Sequence, residues 1–145
     1  MTKRSKNLDR DLLRQLARFR YQLRQFLRFS EQAARAEGVT SQQHQLLLGI
    51  AGYTGREWAT INELAEFLQE RHNAVVGLVE RALKRGLVRK VQGELDRRFV
   101  QVHLTAQGEG VLTRLSELHQ AEAERLAPRT LAASRTWAIK QSPGS

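Results

Sequence analysis

Between Thr60 and Leu104 the spacing of apolar residues switches from a helical repeat to strict alternation, and this switch restricts the fold more than any other feature. Ile61, Leu64, Phe67 and Leu68 recur at helical spacing. Thr60 and Glu63 supply the Thr-x-x-Glu pattern of a capping box, so a short helix starts at Thr60. It stops near Gln69-Glu70-Arg71. A second helical pattern follows almost at once through Val75, Val76, Leu78, Val79, Ala82 and Leu83. It closes at Arg85-Gly86, a basic residue and a glycine, both favoured at a helix C-terminus. Alternation then takes over. Leu87–Gln92 reads as a strand, Gly93–Arg97 as a turn, and Phe99–Leu104 as a second strand with Val100, Val102 and Leu104 on one face. Two short helices joined by a tight turn form a helix-turn-helix unit. A hairpin directly after it is a wing.

The flanking segments are helical. From about Leu8 to Ala36, Leu12, Leu16, Phe19, Leu23 and Phe26 are spaced 4, 3, 4, 3, which draws one apolar seam along a helix. Such a seam docks on its own domain or pairs with a partner chain. Gly38 closes the segment. The opposite face carries Arg10, Arg14 and Arg18 at i, i+4, and Arg20, Arg24 and Arg28 likewise. Like charges at that spacing cost an isolated helix a few tenths of a kcal/mol per pair. The face is either a solubilising surface or one whose repulsion is offset by acidic groups or phosphates of a partner. Thr40 and Gln43 have capping-box spacing ahead of Leu46, Leu47, Leu48 and Ile50, a nearly all-round apolar stretch that suits a buried central helix. Trp58-Ala59 is a short extended piece. Thr105 caps a last long helix from about Ala106 to Leu126, with Val111, Leu115 and Leu118 along its apolar stripe.

Composition sets the class. The 145 residues suit one domain, and 41% hydrophobic residues supply enough apolar mass for a core. There are no cysteines, which excludes a disulfide framework, a cysteine-ligated zinc site and a thiol redox switch. Four histidines are scattered without metal-ligand spacing, so no metal and no cofactor is expected. No apolar run approaches the roughly 18 residues of a membrane span. The basic start Met1–Lys6 is not followed by an apolar stretch, which argues against a signal peptide and for a cytoplasmic protein without a membrane partner. The net charge of +9 favours an anionic partner, nucleic acid first. No phosphate-binding loop, nucleophile elbow or cysteine nucleophile occurs, so an enzyme is not expected.

The order helix, helix, short strand, helix, helix, hairpin, helix resembles the MarR family of dimeric winged helix-turn-helix transcriptional regulators across nearly the whole chain. Gly38-Val39-Thr40-Ser41-Gln42-Gln43 resembles the opening of that family's second helix. Ile61–Ala65 resembles the first helix of its helix-turn-helix. Gly77–Arg81 and Lys84–Val88 resemble its recognition helix and exit. Asp96-Arg97-Arg98 and Leu104–Gly108 resemble the wing tip and the return into the last helix. The resemblance implies a mainly α fold with a small β-hairpin and a single domain over residues 1–145. Residues of about 8–36 and 106–135 would form dimerisation helices, and about 58–105 a DNA-binding lobe. It implies a homodimer that binds a pseudo-palindromic double-stranded DNA operator, a ligand-responsive repressor. The alternatives are a non-specific architectural or RNA-binding winged helix and a protein-interaction module on the same fold. One departure stands out: Ala74 and Gly77 occupy a region where family members often carry Ser or Thr.

On this reading the recognition helix presents His72, Asn73, Ala74, Gly77, Arg81 and Lys84 to DNA. An α-helix fits the major groove, its N-terminal residues reach base edges, and basic residues further along meet phosphates. Asn73 reads equally as an N-cap, and His72 as a solvated turn residue. Gly77 costs roughly 1 kcal/mol against Ala in mid-helix, which suggests close approach to DNA or to a neighbouring helix. The wing contributes Arg89, Lys90, Asp96, Arg97 and Arg98, with Arg98 in the place of the family's wing arginine and Asp96 orienting it. An arginine on a hairpin tip can enter a narrow minor groove. From Arg81 to Arg98 seven basic residues, Arg85 among them, face two acidic ones. Leu12, Leu16, Phe19, Leu23, Leu115 and Leu118 are expected at the dimer interface. A small aromatic effector is implied by the resemblance, with Phe19, Tyr21, Phe26, His44 and Trp58 as its wall. Each of the five also reads as an ordinary core or surface side chain, and His44 as a satisfied helix histidine.

Overall fold

Residues 7–93 and 99–126 are described by the computed structural model. They form α1 (Arg10–Ala36), α2 (Ser41–Ala51), β1 (Trp58–Thr60), α3 (Ile61–Leu68), α4 (His72–Lys84), β2 (Val88–Gln92), β3 (Val100–Leu104) and α5 (Ala106–Leu126). Local caps set the boundaries. Asp9 accepts the Leu12 N–H at 3.1 Å, so α1 starts at Arg10 rather than near Leu8. Both predicted capping boxes are complete, Thr40 with Gln43 and Thr60 with Glu63. The Thr105 hydroxyl accepts the Gly108 N–H at 3.0 Å and opens α5.

The stops are as legible. After α1, Val39 N–H donates to the Ala34 carbonyl and Gly38 N–H to that of Arg35, both at 3.0 Å, with Gly38 at φ 77°. After α4, Leu87 and Gly86 repeat the pattern on Ala82 and Leu83. This is the two-bond glycine stop, and the residue after each glycine, Val39 or Leu87, is buried. The end of α3 has the same backbone pattern, but Gln69 holds the left-handed position at φ 53°.

The strands form one antiparallel sheet in the order β1-β3-β2. β2 pairs with β3 from Val88↔Leu104 to Gln92↔Val100, and Gly93 N–H donates to the Phe99 carbonyl at 2.9 Å beyond it. The extended piece at Trp58 is a strand because β3 offers a free edge, with Trp58 opposite His103.

The core gathers around α2, whose Leu46, Leu47 and Ile50 are fully buried; Leu48 turns outward, so the helix is not apolar all round. Leu64, Val75, Val79, Leu87 and Val102 meet it from α3, α4 and the sheet. Val111, Leu112 and Leu115 meet it from α5. Leu115, expected at a dimer seam, is completely buried in the chain's own core. The first three turns of α1 touch nothing, and only its C-terminal half, through Phe29, Ala33 and Ala34, packs against the core.

Candidate nucleic-acid interface

α4 is anchored along one side and open along the other. Val75, Leu78, Val79 and Ala82 recur at helical spacing and are buried. Arg71, His72, Asn73, Ala74, Arg81 and Lys84 are exposed. Asn73, Ala74, Gly77 and Arg81 share a shallow depression of about 200 Å³ with Gln42 of α2 and Glu70 of the α3–α4 turn. The sequence gave no sign that Gln42 and Glu70 would join it, because only the fold brings the start of α2 beside the turn.

Three expectations change here. Arg71, not Asn73, is the N-cap of α4, and it makes no side-chain cap bond. Asn73 is therefore free of capping duty, and the first N–H groups of α4 have no cap side chain. Gly77 does not serve contact with a neighbouring helix: a Cβ built there meets only the guanidinium end of Arg81, at 3.3 Å. His72 is not merely solvated. Its Nδ1 lies 2.8 Å from Asn62 Oδ1. An amide oxygen only accepts, so Nδ1 donates and Nε2 is left for a partner. Asn62, on α3, is thus a positioning residue that sequence spacing did not single out.

The basic count also resolves into distinct jobs. Arg85 donates to the Gly38 carbonyl and ties the end of α4 to the end of α1. Lys90 pairs with Glu80, joining the wing to α4. Arg81, Lys84 and Arg89 have no ion-pair partner among the described residues. Arg89 lies opposite His103 in the sheet. Burial, with the Arg89 charge, lowers the His103 pKa. Asp96, Arg97 and Arg98 lie outside the described residues.

Behind the open face, α3 is held by a clamp. The Arg56 guanidinium lies 3.9 Å from the ring centroids of both Tyr53 and Trp58 and pairs with Glu63. Glu63 also accepts the Thr60 N–H at 2.9 Å in the capping box. Burial pushes the Glu63 pKa up, but hydrogen bonds from Tyr53, Thr60 and Arg56 outweigh it and hold the carboxyl below its usual range.

The proposed effector wall does not assemble. Trp58 belongs to the Arg56 clamp, and Phe19 and Tyr21 are exposed on α1. Phe26 and His44 instead meet at His119 of α5, with ring centroids 5.7 and 4.7 Å from it, and Phe29 joins at 5.3 Å. His119 Nε2 lies 2.8 Å from Ser30 Oγ. His44 is buried, but its Nδ1 has no hydrogen-bond partner, so it is not the satisfied histidine expected. Among the described residues a cleft of about 320 Å³ lies elsewhere, between Glu57, Arg89, His103 and Glu109.

A model of the MarR family matches residues 37–98. This segment belongs to the MarR family. It spans α2, β1, α3, α4 and β2, the open face and everything that supports it. No curated protein sequence matches the chain. Solved MarR-family structures superpose on nearly all of it. AbsC, a MarR family transcriptional regulator from Streptomyces coelicolor, is 20% identical over 93% of this chain and 92% of its own, with a TM-score of 0.68. CouR from Rhodococcus jostii RHA1, bound to p-coumaroyl-CoA, is 16% identical over 83% and 88%, at 0.66. A mutant MarR from E. coli complexed with operator DNA is 20% identical over 95% and 100%, at 0.63. The chain has the winged-helix MarR fold.

Proposed function

We propose that the protein is a homodimeric, sequence-specific regulator of transcription, a ligand-responsive repressor that binds a pseudo-palindromic DNA operator in the cytoplasm. The observation that carries the DNA reading is the open face of α4. A mid-helix glycine with clear space before it, an uncapped helix start, and unpaired Arg81 and Lys84 lie on one surface. Asn73 and His72 Nε2 reach base edges, and Arg81 and Lys84 neutralise phosphates. Arg98 of the wing follows the minor groove by family resemblance. Ligand response rests on the likeness to CouR in its p-coumaroyl-CoA complex.

The test is competition. Fragments captured from genomic DNA are sequenced, and the enriched site is bound against a large excess of random duplex. Retention of that site is expected. Arg81→Gln and Lys84→Gln are each expected to reduce the slope of log affinity against log salt by about 0.9. Equal binding to every duplex would overturn the regulator reading in favour of an architectural protein.

A further inference from the structure

α1 contains seven arginines and no lysine; its acids are Asp11 and Glu31. At 100° per residue, Arg10, Arg14, Arg18, Arg20, Arg24 and Arg28 fall on the side opposite Leu12, Leu16, Phe19 and Leu23. All six are exposed. Arg14 pairs with Asp11, a strongly exposed pair that holds little energy. Arg20, Arg24 and Arg28 have no partner among the described residues. Tyr21 stands among them, exposed, with its hydroxyl accepting from Gln25 at 3.2 Å. Like charges one turn apart disfavour the helix, and nothing among the described residues offsets them. A solubilising face has no need to be all arginine. The guanidinium fork, weakly hydrated and bidentate, suits phosphate and carboxylate.

The stripe is remote from α4. α1 ends at Gly38, where Arg85 at the end of α4 is bonded. At 1.5 Å per residue, Arg28 is about 15 Å along the axis from that point and Arg10 about 42 Å. Charges this far apart are screened from one another at physiological salt, where the Debye length is about 8 Å.

We propose that the arginine face of α1 is a second phosphate-binding surface, which holds the backbone of a DNA duplex other than the segment at α4 and reads no sequence. The stripe is straight, about 27 Å long, with a guanidinium every 6 Å or so in each series. A duplex is a rod of matching regularity, with one negative charge per ~1.7 Å of axis. A lipid surface fits worse. A bilayer that takes the apolar stripe leaves most of the guanidiniums facing water, and a bilayer against the guanidiniums meets no apolar anchor. The choice of DNA over other polyanions rests on the DNA-binding reading of α4, since a protein held on DNA meets neighbouring duplex first.

The experiment separates the two surfaces. Wild-type protein on an immobilised duplex is offered a second, labelled random duplex. Capture is expected, and the Arg20→Gln, Arg24→Gln, Arg28→Gln triple variant is expected to lose it at least tenfold at 0.1 M salt while holding the first duplex within about twofold. Circular dichroism and light scattering check that glutamine keeps the helix and the assembly. The same triple change is also made on an Arg81→Gln, Lys84→Gln background and titrated directly with random duplex. A further tenfold loss there supports the stripe even if α4 proves not to bind DNA. Unchanged capture by the triple variant overturns the proposal. So does equal competition by polyglutamate or by duplex RNA, or arginine-dependent binding to phosphatidylserine vesicles that duplex DNA does not displace.

Discussion

His44 shows how much one side chain can impose on this fold. Burial, reinforced by the charge of His119, pushes its pKa down from 6.5 to about 4. The folded protein therefore holds His44 neutral in a range where the unfolded chain binds a proton. Stability present above pH 6.5 is lost as pH falls from 6.5 toward 4, by about 2 kcal/mol at pH 5. His44→Phe keeps a ring beside His119 and removes the unpartnered Nδ1. Urea unfolding at pH 7.5 and pH 5.0 is expected to show a smaller acid loss in this variant than in wild type; an equal loss would assign the effect to other groups. Two glycines make a matched pair at the same scale. A Cβ at Gly108 would lie 2.1 Å from the Leu87 carbonyl oxygen, which is fixed by accepting the Thr105 N–H. Gly108→Ala is expected to cost about 1–3 kcal/mol. Gly77→Ala has only a flexible guanidinium to move and gains helix propensity, up to about 1 kcal/mol. It is expected to raise the melting temperature and to weaken operator binding. Unchanged DNA affinity would show that no backbone approach occurs at Gly77.

At the scale of elements, the start of α3 is the joint on which the DNA face depends. Glu63 serves the cap and the Arg56 clamp together, so the two should not be independent. Thr60→Ala is expected to cost about 1 kcal/mol. Combined with Arg56→Ala, the losses should depart from additivity by at least about 0.5 kcal/mol; strict additivity in denaturant midpoints would separate cap from clamp. The cap itself was legible, because a capping box is written within four residues. So were the glycine stops at Gly38 and Gly86. The clamp was not: Trp58 was visible as an aromatic residue, but its partners, Tyr53 and Arg56, sit in a loop without periodicity. The same limit explains Leu115. A helical stripe reveals which side of α5 is apolar, not whether the surface it meets is in the same chain. Here Val111, Leu112 and Leu115 turn into their own core and Leu118 emerges beyond it. His119, a lone histidine one turn past Leu115, carried no signal, although it gathers Phe26, Phe29 and His44.

For the whole molecule, the decisive surface is the apolar stripe of α1. Leu12, Leu16 and Phe19 are each about half exposed, and Leu23 is 38% exposed. They are joined by Leu13 and Leu27 alongside and Leu118 on α5, also exposed. A helical segment of three turns with no tertiary contact is marginal in water. Covering one such side chain completely is worth about 1.5–3 kcal/mol. The heptad spacing suits another helix, and a second copy of the chain supplies one with the same seam. Leu16→Glu with Leu23→Glu is therefore expected to give monomers in light scattering. Neither residue touches the core around α2, so the far-ultraviolet signal of α2 to α5 should persist while the start of α1 frays. Binding to a two-half-site operator should then fall much further than binding to a single half-site, because linked occupancy of two sites is lost. A dimer that survives both substitutions would place the interface elsewhere. Equal losses on both DNA lengths would mean that the substitutions had damaged α4 itself.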